Sequence, residues 1–146
     1  MAYETTEVAV SKSQEQIRRL IYGHKGTGLM LLSQPPREGF EAMVSIANMP
    51  YHIRVMATCD KRKWQYLSGA AQKKKIDQEN RRVWRVLFWH LKAMFEASDS
   101  GVIDARDVIM PYVVLRDGLT LADHIKPKMT ELMNTDPSRL LSSGSV

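Results

Sequence analysis

The chain has 146 residues, 44% of them hydrophobic and 25% charged, which is typical of one globular domain. Its net charge of +5 favours acidic partners, with nucleic acid first and an anionic membrane surface second. The single cysteine, Cys59, excludes an intramolecular disulfide and a zinc-finger type of site. The chain contains no apolar run of about 18 residues and starts with an acidic segment, so we expect neither a membrane span nor a signal peptide.

The first helix is predicted over residues 13–23. Ser13 and Gln16 have the spacing of a capping box, and apolar residues follow at helical intervals up to Gly23. Residues 8–10, just before this helix, are a candidate edge strand. Residues 1–10 as a whole are expected to form a loose arm.

Three antiparallel strands are predicted next, and turn residues separate them. The strands cover residues 27–33, 39–47 and 51–56, with turns at residues 34–39 and 48–50. In the second and third strands, apolar residues alternate with polar ones. That pattern is typical of a sheet with one buried face, which the helices would cover.

Residues 59–76 are polar and basic and lack apolar periodicity, so they are predicted to be a long functional loop. A long helix is predicted over residues 77–98, with Asp77 at its start. One face of its helical wheel is apolar and is predicted to be core: Val83, Trp84, Leu87, Phe88, Leu91, Met94 and Phe95. The opposite, exposed side carries Arg82, Arg85, Trp89 and Lys92, with Arg81 at its flank.

The C-terminal region is predicted to be short helices joined by turns. Asp104 is placed to start one helix, the chain turns at Asp117-Gly118, and Thr120 is placed to cap another helix. The predicted fold is therefore a single α+β domain over residues 1–135: an N-terminal helix, a three-stranded antiparallel meander, a long amphipathic helix packed on the sheet, and a short helical C-terminal region. Residues 136–146 are predicted to be a flexible tail.

The strongest functional signal is one basic block, Lys61–Lys92, which contains all three tryptophans of the chain. Ten basic residues are opposed only by Asp77 and Glu79, which gives the block a charge of +8, whereas the rest of the chain sums to −3. Positive charge beside flat aromatic rings suits a phosphate backbone with bases stacked nearby. We therefore predict a nucleic-acid interface formed by Lys61, Arg62, Lys63, Trp64, Lys73, Lys74, Lys75, Arg81, Arg82, Arg85, Trp89 and Lys92.

Within this interface the lysines would follow phosphates and the arginines would present guanidinium forks. Trp89, together with Trp64 or Tyr66, would stack bases, at about 1–3 kcal/mol for each base. Two alternatives stay open. A basic run can simply solvate a surface, and an exposed tryptophan can mark a contact with another protein.

No other constellation predicts chemistry, so we expect no enzymatic activity, no cofactor and no metal. The four histidines lack metal-binding spacing, and the acidic residues from Glu96 to Asp107 match no two-metal motif and are better explained as helix caps or solvated groups. Cys59 has no evident partner base, although the basic run beside it would lower the thiol pKa. Core filling is the preferred interpretation of the nine methionines, and a protein-binding surface is the second.

Several short segments of the sequence match a pattern known from other proteins. They are Tyr22-Gly23, Arg54, RRVWRVLFWHLKAMFEASDSG and VLRDGLTLADHIKP, with Trp84-Arg85, Lys92-Ala93, Glu96, Gly101 and Asp117-Gly118 inside them or nearby. In these pieces, over about residues 10–135, the chain resembles a family of small proteins of unassigned function carried by bacteriophages and bacterial mobile elements. The resemblance implies a phage or plasmid context and implies no activity. The order helix, three strands, helix also resembles a double-stranded RNA-binding domain.

Three functions are therefore predicted, in order of preference. The first is a nucleic-acid-binding accessory protein, encoded by a phage or mobile element, that binds DNA or RNA in the bacterial cytoplasm. The second is a phage inhibitor that blocks a host defence complex by protein contact. The third is a subunit of a larger nucleoprotein assembly. The sequence does not distinguish DNA from RNA, or single strands from duplexes, and it predicts no oligomeric state.

Overall fold

The computed structural model describes residues 3–138 and shows a mixed α+β protein. Its elements, in chain order, are α1 (Val10–Gly23), β1 (Gly28–Gln34), β2 (Arg37–Ile46), β3 (Met49–Thr58), α2 (Gly69–Asp99), α3 (Ala105–Ile109), α4 (Leu121–Ile125) and α5 (Met129–Leu132). A 3-10 turn, Lys61–Trp64, lies between β3 and α2. The predicted fold class is confirmed. Of the predicted tail, residues 139–146 lie outside the described part of the chain.

The three strands form an antiparallel sheet in the order β1-β2-β3. Ala47 and Asn48, with φ of 51° and 64°, form the turn between β2 and β3, and this turn lies one residue earlier than the sequence predicts. Two consecutive left-handed residues match the right-handed twist of the flanking strands. Gly39 lies opposite Met56, where a Cβ would collide with the Val55 carbonyl oxygen, so this position requires glycine.

One face of the sheet and the two longer helices enclose the core. Apolar residues alternate along β2 and β3, and the register places Phe40 opposite Val55 and Ala42 opposite Ile53, so these side chains share one face. α1 contributes Ile17 and α2 contributes its whole predicted apolar face. That face is confirmed as core, since Val83, Trp84, Leu87, Phe88, Leu91, Met94 and Phe95 are all buried.

The C-terminal region returns to the free edge of β3. Val113 forms a bridge with Ile53, and the chain then turns back through Gly118, which has a φ of 84°. Thr120 and Asp123 form a reciprocal capping box at the start of α4, and Asp104 caps α3. The predicted caps and turn in this region are confirmed. The bridge also pairs part of a strand edge that would otherwise be open.

The predicted start of α1 is wrong, because the helix begins at Val10 and residues 8–10 form no strand. Ser13, the predicted cap, is fully buried inside the helix. Its hydroxyl lies 3.5 Å from the Arg85 guanidinium, so it serves the contact between the two helices. Ala9 occupies the capping position and makes no side-chain hydrogen bond there.

The predicted loop over residues 59–76 is also wrong in its second half, because α2 begins at Gly69 and residues 69–76 are helical. Asp77 therefore lies inside the helix. Alanine, glutamine and lysine are strong helix formers, so local propensity supports this extension. Ile76 is the one large apolar side chain of this segment, and for that reason its sequence lacks the apolar period by which helices are recognised.

Candidate nucleic-acid interface

The start of α2 projects beyond the core. Residues 69–75 are exposed except for half-buried Gln72, and the first buried residue of the helix is Glu79. Lys73, Lys74 and Lys75 lie in this projecting part, and all three are exposed. Because successive residues of a helix are about 100° apart, the three ammonium groups point outward in different directions around the axis.

The 3-10 turn that precedes α2 packs against this helix start. Two lysines flank the Trp64 ring, with Lys63 Nζ 5.0 Å and Lys75 Nζ 5.5 Å from its centroid. Gln72 Nε2 donates a hydrogen bond to the Trp64 carbonyl oxygen at 3.3 Å. Tyr66 is 76% exposed, and its ring centroid lies 6.5 Å from the ring centroid of Trp64. We call this surface the lysine patch; it consists of Lys61, Lys63, Trp64, Tyr66, Lys73, Lys74 and Lys75.

Trp64 itself is less available for base stacking than the sequence predicts. Its ring is half-buried and already makes favourable cation–π contacts with Lys63 and Lys75. Its indole N–H is buried and has no hydrogen-bond partner among the described residues. Tyr66 is the more exposed aromatic ring in the patch.

Carboxylates pair with three of the predicted phosphate contacts. Arg82 donates to both oxygens of Glu79, at 2.7 and 3.1 Å, and Lys63 Nζ lies 3.4 Å from the same carboxylate. The hydrogen bonds from Arg82 lower the pKa of Glu79 although its burial opposes this. Arg62 is likewise paired with Asp60, with nitrogen to oxygen distances of 3.0 and 3.2 Å.

Arg81 and Arg85 hold parts of the fold together. Arg81 donates to the Thr6 carbonyl oxygen at 3.4 Å and to Gln78 Oε1 at 2.6 Å. Arg85 is only 6% exposed, donates to Gln16 Oε1 at 2.7 Å, and has its guanidinium carbon 4.4 Å from the Phe88 ring centroid. Burial lowers the pKa of the Arg85 guanidinium. The prediction that Arg85 is exposed is therefore wrong, because α1 covers the flank of α2 that carries it.

Trp89 and Lys92 form a separate, smaller surface. Trp89 is 40% exposed, as predicted, and Lys92 Nζ lies 4.9 Å from its ring centroid. Lys92 also approaches Glu96 at 3.9 Å. Trp89 follows Lys74 by fifteen positions in one helix, which corresponds to about 22 Å along the axis. The structure therefore divides the predicted interface into two parts.

The remaining positive charge is concentrated in the lysine patch. Among residues 3–138, no carboxylate forms an ion pair with Lys61, Lys73, Lys74 or Lys75. The first turn of α2 contains no acidic residue, and Ser68 makes no side-chain capping bond. Clustered lysines near a helix N-terminus repel one another and interact unfavourably with the helix dipole, so electrostatic stabilisation of the helix does not explain their charges.

Other side chains considered for chemistry are engaged in structural contacts. Cys59 is buried and donates to Asn80 Oδ1 at 3.2 Å, and its burial raises the thiol pKa, contrary to the direction predicted from the basic run. Within residues 3–138, no group of three or more potential ligands is arranged to hold a metal ion. None of the helices in the same part of the chain has the length and apolar character that crossing a bilayer requires.

Comparisons of the chain with protein-family models, with curated proteins and with solved structures find no match. The resemblances to the phage and mobile-element family and to double-stranded RNA-binding domains therefore stay predictions.

Proposed function

We propose that the protein is a non-enzymatic accessory protein that binds nucleic acid through the lysine patch. One observation carries this proposal. Lys61, Lys73, Lys74 and Lys75 lack a carboxylate partner among the described residues, and the last three project from the fold on a helix start that their charges do not stabilise. A phosphate backbone supplies the missing negative charge, and release of its counterions drives the association.

The proposed contact is mainly electrostatic. Lysine ammonium groups are mobile point charges that approach phosphates without reading base edges, whereas paired hydrogen bonds to bases typically come from arginine, asparagine or glutamine. The four arginines of the predicted interface donate hydrogen bonds to groups of the protein itself; they are Arg62, Arg81, Arg82 and Arg85. We therefore expect affinity to depend on phosphate charge density, with little dependence on sequence.

Aromatic stacking has a secondary role in this proposal. Tyr66 lies in the lysine patch with its ring largely exposed, so an unpaired base can stack on it. Trp89 and Lys92 would contact only a ligand long enough to follow α2 along about 22 Å. The phage or mobile-element origin and the bacterial cytoplasm belong to the proposal on the strength of the sequence resemblance.

Fluorescence anisotropy with labelled duplex DNA, single-stranded DNA, duplex RNA and single-stranded RNA, each over a salt series, tests the proposal. We expect binding to every ligand at low salt, with log K falling linearly against log salt concentration. Tighter binding to single strands would indicate that Tyr66 stacks bases. Failure to bind any of the four at low salt would overturn the proposal and would favour an acidic protein as the partner of the lysine patch.

A further inference from the structure

An apolar hollow lies in the C-terminal region. Its apolar lining comes from Met110 and Pro111 and from Leu121, Ile125 and Met129 of α4 and α5, around a volume of about 420 Å³. Met110, Ile125 and Met129 are exposed in the chain as described. Exposed apolar side chains grouped around one hollow are typical of a surface that another molecule covers.

The methionines support this interpretation. The sequence predicts that methionines fill the core, but among the described methionines only Met94 is buried, so that prediction is wrong. Met110, Met129 and Met133 are exposed in the C-terminal region. Methionine side chains are flexible and polarizable, and they are common on surfaces that adapt to a protein partner.

The hollow lies far from the lysine patch. An adjoining hollow, which shares Asp107 and Pro111 with it, is lined by Ala93 and Met94 of α2. Met94 follows Lys74 by twenty positions in one continuous helix, or about 30 Å along the helix axis. Nucleic-acid binding at the start of α2 therefore does not account for the apolar surface near its other end.

Two charged residues that line the hollow indicate what covers it. Asp107 and Lys126, of opposite sign, both line it. Among residues 3–138, neither the Asp107 carboxylate nor the Lys126 ammonium group takes part in a hydrogen bond or an ion pair. A surface that carries one acid and one base beside an apolar centre is complementary to itself after a two-fold rotation.

We propose that two copies of this chain associate through the hollow, with Asp107 of each copy facing the partner's Lys126. The apolar side chains of Met110, Ile125 and Met129 would be buried between the copies, and the two charge contacts would fix their orientation. The lysine patches would then lie at a distance from the interface, one on each copy. The inference does not depend on the proposed function.

Sedimentation velocity of the full chain over a concentration range tests the association. We expect a species with twice the chain mass of 16.7 kDa. Asp107→Lys alone and Lys126→Asp alone each place like charges opposite one another at both contacts, so each should weaken self-association by at least about tenfold. A sample that stays monomeric at all concentrations would overturn the proposal.

Mixing the two single variants gives the sharper result. In a mixed pair, Lys at position 107 of one copy faces Asp at position 126 of the other, and the second contact keeps its native charges, so association should return. Lys128→Asp, a matched change at an exposed residue that does not line the hollow, should leave association unchanged. A dimer that tolerates both single variants, or a mixture that stays monomeric, would show that another surface is used.

One further variant guards against misfolding of the short helix α3, which contains Asp107. Met129→Glu puts a charge into the apolar centre and should also abolish the dimer, while circular dichroism stays that of the parent protein. Nucleic-acid binding, measured separately by anisotropy on these variants, should persist because the lysine patch is unchanged. Loss of the dimer and loss of nucleic-acid binding are therefore distinguishable results.

Discussion

Arg85 is held between the two long helices, where Gln16 accepts its hydrogen bond and the Phe88 ring packs against its guanidinium. A helical wheel places this arginine beside exposed residues, because the wheel contains no information about which flank a second helix will cover. The environment of its buried neighbour Ser13 is predicted wrongly for the same reason, since a side chain that could cap α1 instead faces Arg85. Polar groups that pair across helices are therefore the residues for which sequence patterns give the wrong environment.

Trp84 and Trp89 test the helical-wheel assignment of α2, because one is assigned to the core and the other to the surface. Trp84 is 3% exposed, so Trp84→Ala should lower the free energy of unfolding by about 3–5 kcal/mol. Trp89→Ala removes a ring that is 40% exposed and should cost much less, roughly 1 kcal/mol. Urea unfolding monitored by circular dichroism measures both values. Equal losses for the two variants would contradict the assignment of Trp84 to the core and Trp89 to the surface.

Glu41 gives the fold a predictable response to acid. Burial alone would raise the pKa of Glu41, but hydrogen bonds and charge interactions with Arg54 and His52 outweigh it, so the pKa lies below the usual 4.5. A carboxyl group with a lowered pKa in the folded state stabilises that state above its unfolded pKa, and this stabilisation disappears as the pH falls through the folded value. Stability should therefore decline below about pH 4.5 as the Glu41 contacts are lost.

The variant Glu41→Gln isolates this contribution. It should be less stable than the parent protein at pH 7, by about 1–3 kcal/mol for the loss of charged hydrogen bonds, and its stability should change less between pH 5 and pH 3, roughly the span of carboxyl titration. Glu7→Gln, at an exposed position, serves as the control. Unfolding curves for the three proteins at several pH values give the comparison. Parallel pH profiles for the parent and Glu41→Gln proteins would show that Glu41 is not responsible.

The helix α2 contains one part that the sequence predicts and one part that it does not. Seven apolar side chains in residues 83–95 are predicted to form the buried face, and all seven are buried. Residues 69–76 belong to the same helix, yet they contact little of the core and so have no apolar pattern to reveal them. A buried helix has an apolar face and therefore a recognisable apolar period. A projecting helix is recognisable only by its helix propensity, which is a weaker signal.

This difference predicts unequal stability along one helix. Residues 69–76 bury few side chains, so their hydrogen bonds should open at low cost and their amides should exchange rapidly in hydrogen-deuterium exchange. Residues 83–95 should exchange slowly. Addition of duplex DNA should slow exchange in residues 69–76 and leave residues 83–95 unchanged, because only the projecting part would contact the ligand. Protection that is uniform along α2 in the free protein would contradict this description.

At the scale of the whole molecule, α2 separates two surfaces of different character. The lysine patch lies at its start, and the apolar hollow lies near its other end, about 30 Å away along the axis. The sequence predicts the first of these, because like charges adjacent in the chain remain close in the fold. It does not predict the hollow, because Met110, Leu121, Ile125 and Met129 come together only through the turns between α3, α4 and α5.

The fold class could be predicted because the alternation in β2 and β3 and the apolar face of α2 each point to one structure. The candidate interface could be predicted only in part, since the charge block contains both lysines without an ion-pair partner among residues 3–138 and residues that the fold uses. Glu79, buried next to Arg82 and Lys63, pairs with these two cations of the block, and its burial is not evident in a polar stretch of sequence.

The most direct test of the central claim compares two triple variants with the same net charge. Lys73→Ala, Lys74→Ala and Lys75→Ala together lower the net charge from +5 by three, and so do Lys12→Ala, Arg116→Ala and Lys128→Ala at exposed positions elsewhere. Both variants should remain folded, which circular dichroism checks. Any difference in their binding then reports the location of the charge and not its amount.

The measurement is the salt dependence of duplex DNA binding by fluorescence anisotropy. For the lysine-patch variant, the slope of log K against log salt concentration should become shallower by about three, since three phosphate contacts are removed. The control variant should keep nearly the parent slope and affinity. Equal losses in the two variants would show that net charge alone attracts the nucleic acid, and they would contradict a binding site at the start of α2.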